Sequence, residues 1–168
     1  EALLKYLLGH NLITKHQHGF LSKRSTATNL IESLNDWTLS LEAGKNQRVT
    51  YIDFAKAFDS VSHEKLILKL SMYGITGNLL LWIKNFLHGR SHRTAVGNCL
   101  SSLVPILSGV IQGSCLGPLL FLLYINDLPD AIAKGTIIKL FADDVKLYSS
   151  IHVEGEPSRS QAETQVQL

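Results

Sequence analysis

The sequence predicts a domain of the α+β class, in which helices pack against an antiparallel sheet. The chain has 168 residues, of which 45% are apolar, and this is enough for one domain with a hydrophobic core. Apolar residues recur at helical spacing in several segments and fill short strand-like runs in others. The longest apolar run, residues 119–125, is far shorter than the roughly 20 residues that a membrane-spanning helix needs.

The composition narrows the class of protein without fixing it. A net charge of +2 and an isoelectric point of about 8.6 suit a nucleic-acid partner but do not require one. The two cysteines, Cys99 and Cys115, lack paired spacing, which argues against a disulfide scaffold or a zinc site. The sequence opens without a signal-peptide pattern, so we expect an intracellular protein, in the nucleus or the cytoplasm or both.

The first third of the chain predicts two helices and a strand. Residues 2–8 have a helical pattern that ends at Gly9, and a polar connector follows over residues 11–20. An amphipathic helix is predicted over residues 26–43, and residues 48–54 alternate as a strand does. The apolar positions of that amphipathic helix, which we expect to face the core, are Leu30, Ile31, Leu34, Trp37 and Leu41.

The middle of the chain predicts three more helices, a hairpin and a glycine-rich loop. Residues 62–74 and 77–88 each carry helical periodicity between a capping residue and a glycine. We interpret the aromatic side chains of the second of these helices, Trp82 and Phe86, as core. Residues 93–107 indicate a β-hairpin. Residues 108–118 are rich in glycine and lead into an apolar helix over residues 119–125.

Two adjacent acids occupy the turn of a second predicted hairpin. Asp143 and Asp144 lie between apolar runs at residues 137–141 and 145–148, both of which favour strands. At a tight turn the alternation of side chains breaks, so both carboxylates can approach one point, where they repel unless a cation lies between them. An ordinary turn is the alternative, because Asp is a favoured turn residue.

A third acid, Asp53, lies near the end of the predicted strand 48–54. Capping of the next helix is the simple explanation for such an acid. If this strand pairs beside the hairpin of Asp143 and Asp144, three carboxylates converge. Mg²⁺ is held by a few carboxylates together with substrate phosphates. Two such ions about 3.5–4 Å apart stabilise both oxygens of a phosphoryl transfer. Sequence alone leaves the pairing of these strands open.

Four segments together resemble the successive palm motifs of reverse transcriptases, in the variant of non-LTR (LINE-type) retrotransposons. They are Asp53-Phe-Ala-Lys-Ala-Phe-Asp59, Gly109-Val-Ile-Gln-Gly-Ser-Cys-Leu-Gly-Pro-Leu-Leu-Phe121, Tyr124-Ile-Asn-Asp-Leu-Pro129 and Phe141-Ala-Asp-Asp-Val-Lys-Leu-Tyr148. Gln17-His-Gly-Phe20 and Lys23-Arg-Ser-Thr26 match the segment that precedes the palm in this family. The resemblance covers roughly residues 1–149.

The resemblance implies a polymerase palm, an antiparallel sheet packed on helices, with part of the fingers and no thumb. It implies a reverse transcriptase domain over residues 1–149, with late fingers at 1–47 and palm at 48–149. Residues 150–168 would be a disordered or unrelated tail. The implied activity is RNA-directed DNA synthesis, with an RNA template, a DNA primer and a deoxynucleoside triphosphate as partners, and no membrane. The implied cofactor is Mg²⁺, as two ions, with Mn²⁺ as a possible substitute.

The resemblance also assigns the metal ligands. Asp53, Asp143 and Asp144 would be the catalytic ligands, and the backbone carbonyl of Phe54 would be a further ligand.

Other motif residues would bind the nucleotide and the nucleic acid. Phe58 would be a steric gate that clashes with a 2′-hydroxyl and so selects deoxynucleotides, unless it is a core aromatic. Gln112 and Gly113 would touch the incoming nucleotide and the template. Lys23 and Arg24 would contact phosphates, although solvated charges explain them equally well.

Two alternative hypotheses compete with that of an active reverse transcriptase. Ile111 stands where the family usually has proline, a change that loosens the loop before Gln112. The main alternative is a catalytically inactive retroelement remnant, either a nucleic-acid-binding or a simply tolerated fragment. An RNA polymerase of the same palm type would prefer a small gate residue, and Phe58 argues against it.

Overall fold

The computed structural model describes residues 2–151. The helices are α1 Ala2–Gly9, α2 Thr26–Glu42, α3 His63–Met72, α4 Gly77–Leu87 and α5 Gly117–Ile125, and a 3₁₀ helix spans Leu128–Ala131. The strands are β1 Asn46–Ile52, β2 Ser91–His92, β3 Ala95–Val96, β4 Cys99–Leu100, β5 Val104–Pro105, β6 Ile137–Phe141 and β7 Asp144–Ile151. The expected α+β class is confirmed, because helices accompany an antiparallel sheet.

The chain forms two compact units. Among the described residues, the helical unit comprises residues 2–14 and 54–128, and the sheet unit comprises residues 15–53 and 129–151. The predicted division into fingers and palm cuts the chain once, after residue 47, whereas each of these units combines two separate stretches of the chain. The division into fingers and palm stays a prediction. The tail prediction falls largely on residues 152–168, which lie outside the described residues.

The helical unit is built around one hydrophobic core. Ser62 caps α3 by accepting a hydrogen bond from the Lys65 backbone N–H at 3.4 Å, and Gly74 ends the helix with φ of +79°. Burying each large apolar side chain of this core contributes about 1.5–3 kcal/mol. The buried members are Leu7, Ala57, Val61, Leu66, Leu70, Ile75, Ile83, Leu87, Val110, Leu120, Phe121 and Leu123.

The interpretation of all aromatic residues in α4 as core is wrong for Trp82. Its side chain is 56% exposed and stacks on Phe86, with ring centroids 5.8 Å apart. Apolar residues surround most of this helix, but a helix packed on one side can bury only one face. That face carries Ile83 and Leu87.

The first predicted hairpin is confirmed and extended. Strands β3 and β4 pair around Gly97, whose φ is +57°, and β2 pairs with β5 as a second short ladder. Helix α5 begins at Gly117, so Pro118 takes its second position, where the missing N–H costs no helical hydrogen bond.

The sheet unit contains an antiparallel sheet of order β1-β7-β6. The β1–β7 register runs from Asn46 opposite Ile151 to Ile52 opposite Val145. Strand β1 therefore starts and ends earlier than the pattern predicts, and Asp53 follows the strand instead of lying within it.

Helix α2 packs on the β1-β7-β6 sheet of its own unit through polar residues, which overturns the expected orientation of its apolar stripe. Its buried residues are Asn29, Ser33 and Ser40. The reason lies in the sheet, which presents amine and hydroxyl groups of Lys146 and Tyr148 to the helix. The apolar positions Leu30, Ile31, Leu34 and Leu41 are each at least half exposed, and only Trp37 among those predicted is partly buried.

Across residues 2–151, every helix falls short of the length and apolar character that crossing a bilayer requires.

Candidate active site

The strand register brings two of the three predicted acids together. Ile52 pairs with Val145, so Asp53 and Asp144 occupy the next positions on neighbouring antiparallel strands. Both are exposed, and both line one cavity of about 290 Å³ in the sheet unit. The structure therefore shows the Asp53 strand paired with the second hairpin, a pairing that the sequence left open.

Asp143 occupies a different position from its neighbour. Phe141 pairs with Asp144, so the hairpin loop consists of Ala142 and Asp143 alone, and Asp144 is already the first residue of β7. Consecutive side chains diverge where a strand begins, and Asp143 is absent from the lining of the cavity. Within residues 2–151, no three acidic, His or Cys side chains are grouped closely enough to hold one metal ion. The predicted convergence is thus observed for two carboxylates, and a ligand role for Asp143 stays a prediction.

Two lysines line the same cavity in different electrostatic states. Lys139 pairs with Glu32 at 2.5 Å, and this hydrogen bond holds the pKa of the Glu32 carboxyl below its ordinary value. Lys146 is buried and donates hydrogen bonds of 3.0 Å to Asn29 Oδ1 and Ser33 Oγ. Burial, and secondly the charge of Lys139, lowers the pKa of Lys146. The cavity therefore combines two acids with one paired and one buried cation.

A buried glutamine holds the acid-bearing turn, and sequence analysis missed it. Ala142 has φ of +53°, as the first central residue of a type II′ turn has, although Gly is the usual residue there. Gln17 Oε1 accepts hydrogen bonds from the backbone N–H of Ala142 at 2.9 Å and of Gly19 at 2.7 Å. Gln17 Nε2 donates to the Ala142 carbonyl at 3.4 Å.

The connector that carries Gln17 is itself paired to β6. The Leu140 N–H donates to the His16 carbonyl and the His18 N–H donates to the Leu140 carbonyl, both at 2.9 Å. This makes an isolated parallel bridge between Gln17 and Leu140. A Cβ on Gly19 would lie 2.4 Å from the Ala142 nitrogen, so only glycine permits this approach.

The two predicted phosphate contacts differ in their surroundings. Arg24 Nη1 donates to the backbone carbonyls of Lys15 at 2.6 Å and Gln17 at 3.1 Å, which fastens the connector. Lys23 is exposed, with φ of +63°. Phosphate contact by either residue stays a prediction.

In the helical unit, the predicted gate residue packs against the core. The ring of Phe58 stacks on Phe121, with centroids 4.2 Å apart and planes inclined by 16°, and Phe58 is partly buried. Phe54 is 38% exposed. Packing of Phe58 is compatible with both a gate and a core aromatic, so the gate stays a prediction.

The glycine-rich loop is fixed to the bend that contains Asp59. Gln112 Nε2 donates to Asp59 Oδ1 at 2.9 Å, and Ser108 Oγ donates to the Asp59 carbonyl at 2.8 Å. Gly109 has φ of +93°, and a Cβ there would lie 2.9 Å from Asp59 Cα. Gly113 has φ of +80° and open space around its Cβ position. The loop thus presents Gln112 and Gly113 at the surface of the helical unit.

The sequence profile described as "Reverse transcriptase (RNA-dependent DNA polymerase)" matches residues 1–166. The chain belongs to this family.

Proteins of mobile elements are similar to this reverse transcriptase chain. The RNA-directed DNA polymerase from mobile element jockey of Drosophila melanogaster is 33% identical over 141 residues, which cover 79% of the chain and 15% of that protein. The probable RNA-directed DNA polymerase from transposon BS of Drosophila melanogaster is 28% identical over 160 residues, which cover 88% of the chain and 17% of that protein. The predicted resemblance to non-LTR retrotransposon reverse transcriptases is confirmed. The chain spans about 15% of the length of the curated relatives it matches.

A solved structure supports the fold. Telomerase from Candida albicans, in complex with the TWJ fragment of telomeric RNA, matches with a TM-score of 0.65 and 14% identity. The match covers 98% of this chain and 30% of the telomerase chain. The predicted polymerase fold of palm and fingers is thereby confirmed.

The reverse transcriptase family uses divalent metal ions. Asp53 and Asp144 suit such an ion, because they supply exposed carboxylate oxygens to one cavity from adjacent strand positions. Carboxylate, carbonyl and water ligands favour Mg²⁺ and Mn²⁺ over softer metals.

Proposed function

We propose that this chain is the palm of an RNA-directed DNA polymerase that transfers nucleotides from deoxynucleoside triphosphates to a primer 3′-hydroxyl on an RNA template. The observation that carries the proposal is the β1–β7 register. It makes Asp53 and Asp144 cross-strand neighbours in the lining of one cavity. Rigid strand ends can hold carboxylates in the fixed geometry that phosphoryl transfer requires.

In the proposed reaction the primer 3′-oxygen attacks the α-phosphate of the triphosphate, a new phosphodiester bond forms, and pyrophosphate leaves. Asp53, Asp143 and Asp144, with the backbone carbonyl of Phe54, would hold two Mg²⁺ ions, which Mn²⁺ could replace. When bound, such divalent ions would neutralise the negative charge on the reacting oxygens. The protein contributes mainly positioning and electrostatics, as in phosphoryl transfer generally.

The helical unit would bind the nucleotide. Phe58 would exclude a 2′-hydroxyl, and its stacking on Phe121 would hold the ring that forms this steric boundary. Gln112 and Gly113 would contact the incoming nucleotide and the template. The hydrogen bond between Gln112 and Asp59 supports a preset loop. Lys23 and Arg24 would contact phosphates of the RNA template or DNA primer.

Primer extension tests the proposal. The 168-residue chain is incubated with a DNA primer annealed to an RNA template, one deoxynucleoside triphosphate and Mg²⁺ or Mn²⁺. We expect slow extension by the nucleotide that the template specifies and none by the matching ribonucleotide. Asp53→Asn and Asp143→Asn should each abolish it, whereas Asp130→Asn, which changes an exposed acid outside the site, should not.

Extension that survives Asp53→Asn or Asp143→Asn would show that the acids are misassigned. Retained binding of the primer–template without templated extension would instead favour the inactive, nucleic-acid-binding remnant.

A further inference from the structure

We infer that Gln17 is a positioning residue for the catalytic turn, through hydrogen bonds that hold Ala142 in a conformation that alanine disfavours. The inference rests on the proposed function, since it concerns how the acid at position 143 is presented. It adds a residue from the connector to a site whose three acids lie at the ends of the sheet strands or in their turn.

The turn alone would not keep this shape. Ala142 has φ of +53°, a left-handed conformation in which the Cβ of an L-residue crowds the following carbonyl. A residue other than glycine keeps this backbone conformation only where contacts with the surrounding structure impose it. Residues of this kind cluster at functional sites.

Gln17 supplies those surroundings. Its side-chain amide bonds both the N–H and the carbonyl of Ala142, as a neighbouring strand would bond them. Gln17 is only 1% exposed, so water does not compete for these groups. The same oxygen also accepts from the Gly19 N–H, so one side chain joins the turn to the connector.

The connector is fixed from its other side as well. Its backbone pairs with Leu140, and Arg24 donates to the Gln17 carbonyl at 3.1 Å. Gly19 packs so closely that even a methyl group would displace the Ala142 nitrogen. Asp143 therefore lies between two fixed residues. Ala142 precedes it, and Asp144, the first residue of β7, follows it.

Amide hydrogen exchange of the whole chain, followed by NMR, tests the inference without requiring activity. Gln17→Ala should raise the exchange rates of the Gly19 and Ala142 amides by roughly tenfold or more. The amide of Tyr148, farther along β7, should change much less.

Gln47→Ala is the matched control, since Gln47 lies in the same unit and donates to Ser150 at the far end of the β1–β7 ladder. It should leave the turn amides unchanged. Unchanged exchange at Ala142 in Gln17→Ala, or an equal rise throughout the sheet, would overturn the inference. The second result would indicate a merely structural glutamine.

Where extension is measurable, Gln17→Ala should lower kcat by roughly tenfold with little change in KM. Adding Ala142→Gly should recover part of that loss, because glycine adopts positive φ without strain. A rise in KM alone would contradict positioning. If the wild-type chain extends no primer, the proposed function fails, while the exchange measurement still decides the role of Gln17.

Discussion

Single residues in the connector, residues 11–20, decide how closely its backbone can approach the turn at Ala142 and Asp143. Gly19 illustrates this, because its φ is ordinary but its Cα lies against the backbone of Ala142. The constraint at this position is space, and the obstructing atom belongs to backbone that cannot rotate away.

Gly19→Ala should therefore lower the free energy of unfolding by about 1–3 kcal/mol, the usual cost of forcing an extra carbon into a packed site. Urea denaturation measures the change. Gly9→Ala is the control, because a Cβ there meets nothing within 4 Å, and it should alter stability by less than about 0.5 kcal/mol. Equal effects of the two substitutions would mean that the close approach is not real.

His18 makes stability depend on pH. Burial lowers the pKa of His18 below its ordinary value of 6.5, although Glu32 acts in the opposite direction. His16, in the same connector, has its pKa lowered first by burial and then by Lys15. Because the unfolded chain binds protons more readily below pH 6.5, these histidines stabilise the fold above that pH and lose their contribution as the pH falls through the folded-state pKa.

We accordingly expect the free energy of unfolding to fall as the pH drops below about 6.5, with at most about 1.4 kcal/mol per pH unit for each proton taken up. His18→Gln should flatten this dependence. Urea titrations at several pH values measure it. A pH dependence that His18→Gln leaves intact would rule out this source.

Among the structural elements, α2 shows a helix packed through its polar face. Asn29 and Ser33 share the Lys146 ammonium group, Asp36 accepts from the Tyr148 hydroxyl at 2.5 Å, and Ser40 bonds Ser150 at 2.7 Å. Burial and the contact with Asp36 raise the pKa of Tyr148 well above its ordinary range. Buried hydrogen-bond networks of this kind specify one packing arrangement, because any shift leaves a buried polar group without its partner.

Two neighbouring substitutions separate the faces of α2. Ser33→Leu should cost about 1–3 kcal/mol of unfolding free energy, because it overpacks the interface and removes an acceptor from buried Lys146. Leu34→Ser, at a position 55% exposed, should change stability by less than about 0.5 kcal/mol. Thermal or urea unfolding gives both values. The reverse ranking would mean that α2 buries its apolar stripe after all.

Sequence patterns predicted this helix but not its orientation, and the reason is general. Periodicity reveals that two faces differ, while the buried face depends on what the partner element presents. Strands β6 and β7 were predictable because each is a short apolar run beside a turn. The hydrogen bonds between Gln17 and Ala142 were not predictable, because the two residues lie 125 positions apart along the chain.

At the scale of the whole molecule, the family resemblance predicted three acids as metal ligands, and the strand register brings two of them next to each other. Asp53 and Asp144 lie 91 positions apart in sequence, yet the antiparallel pairing of β1 and β7 makes them neighbours. No local signal could predict that pairing, which depends on the tertiary fold. The separation of Asp143 from the cavity also escaped the sequence, because it depends on a two-residue loop and not on composition.

The central claim is that Asp53 and Asp144 together hold a divalent cation. Mn²⁺ titration of the whole chain, followed by electron paramagnetic resonance, tests it most directly. We predict saturable binding that Asp53→Asn and Asp144→Asn each weaken by roughly tenfold or more, with Asp130→Asn unchanged. Mn²⁺ affinity that is the same in the wild type and in Asp53→Asn would contradict the account.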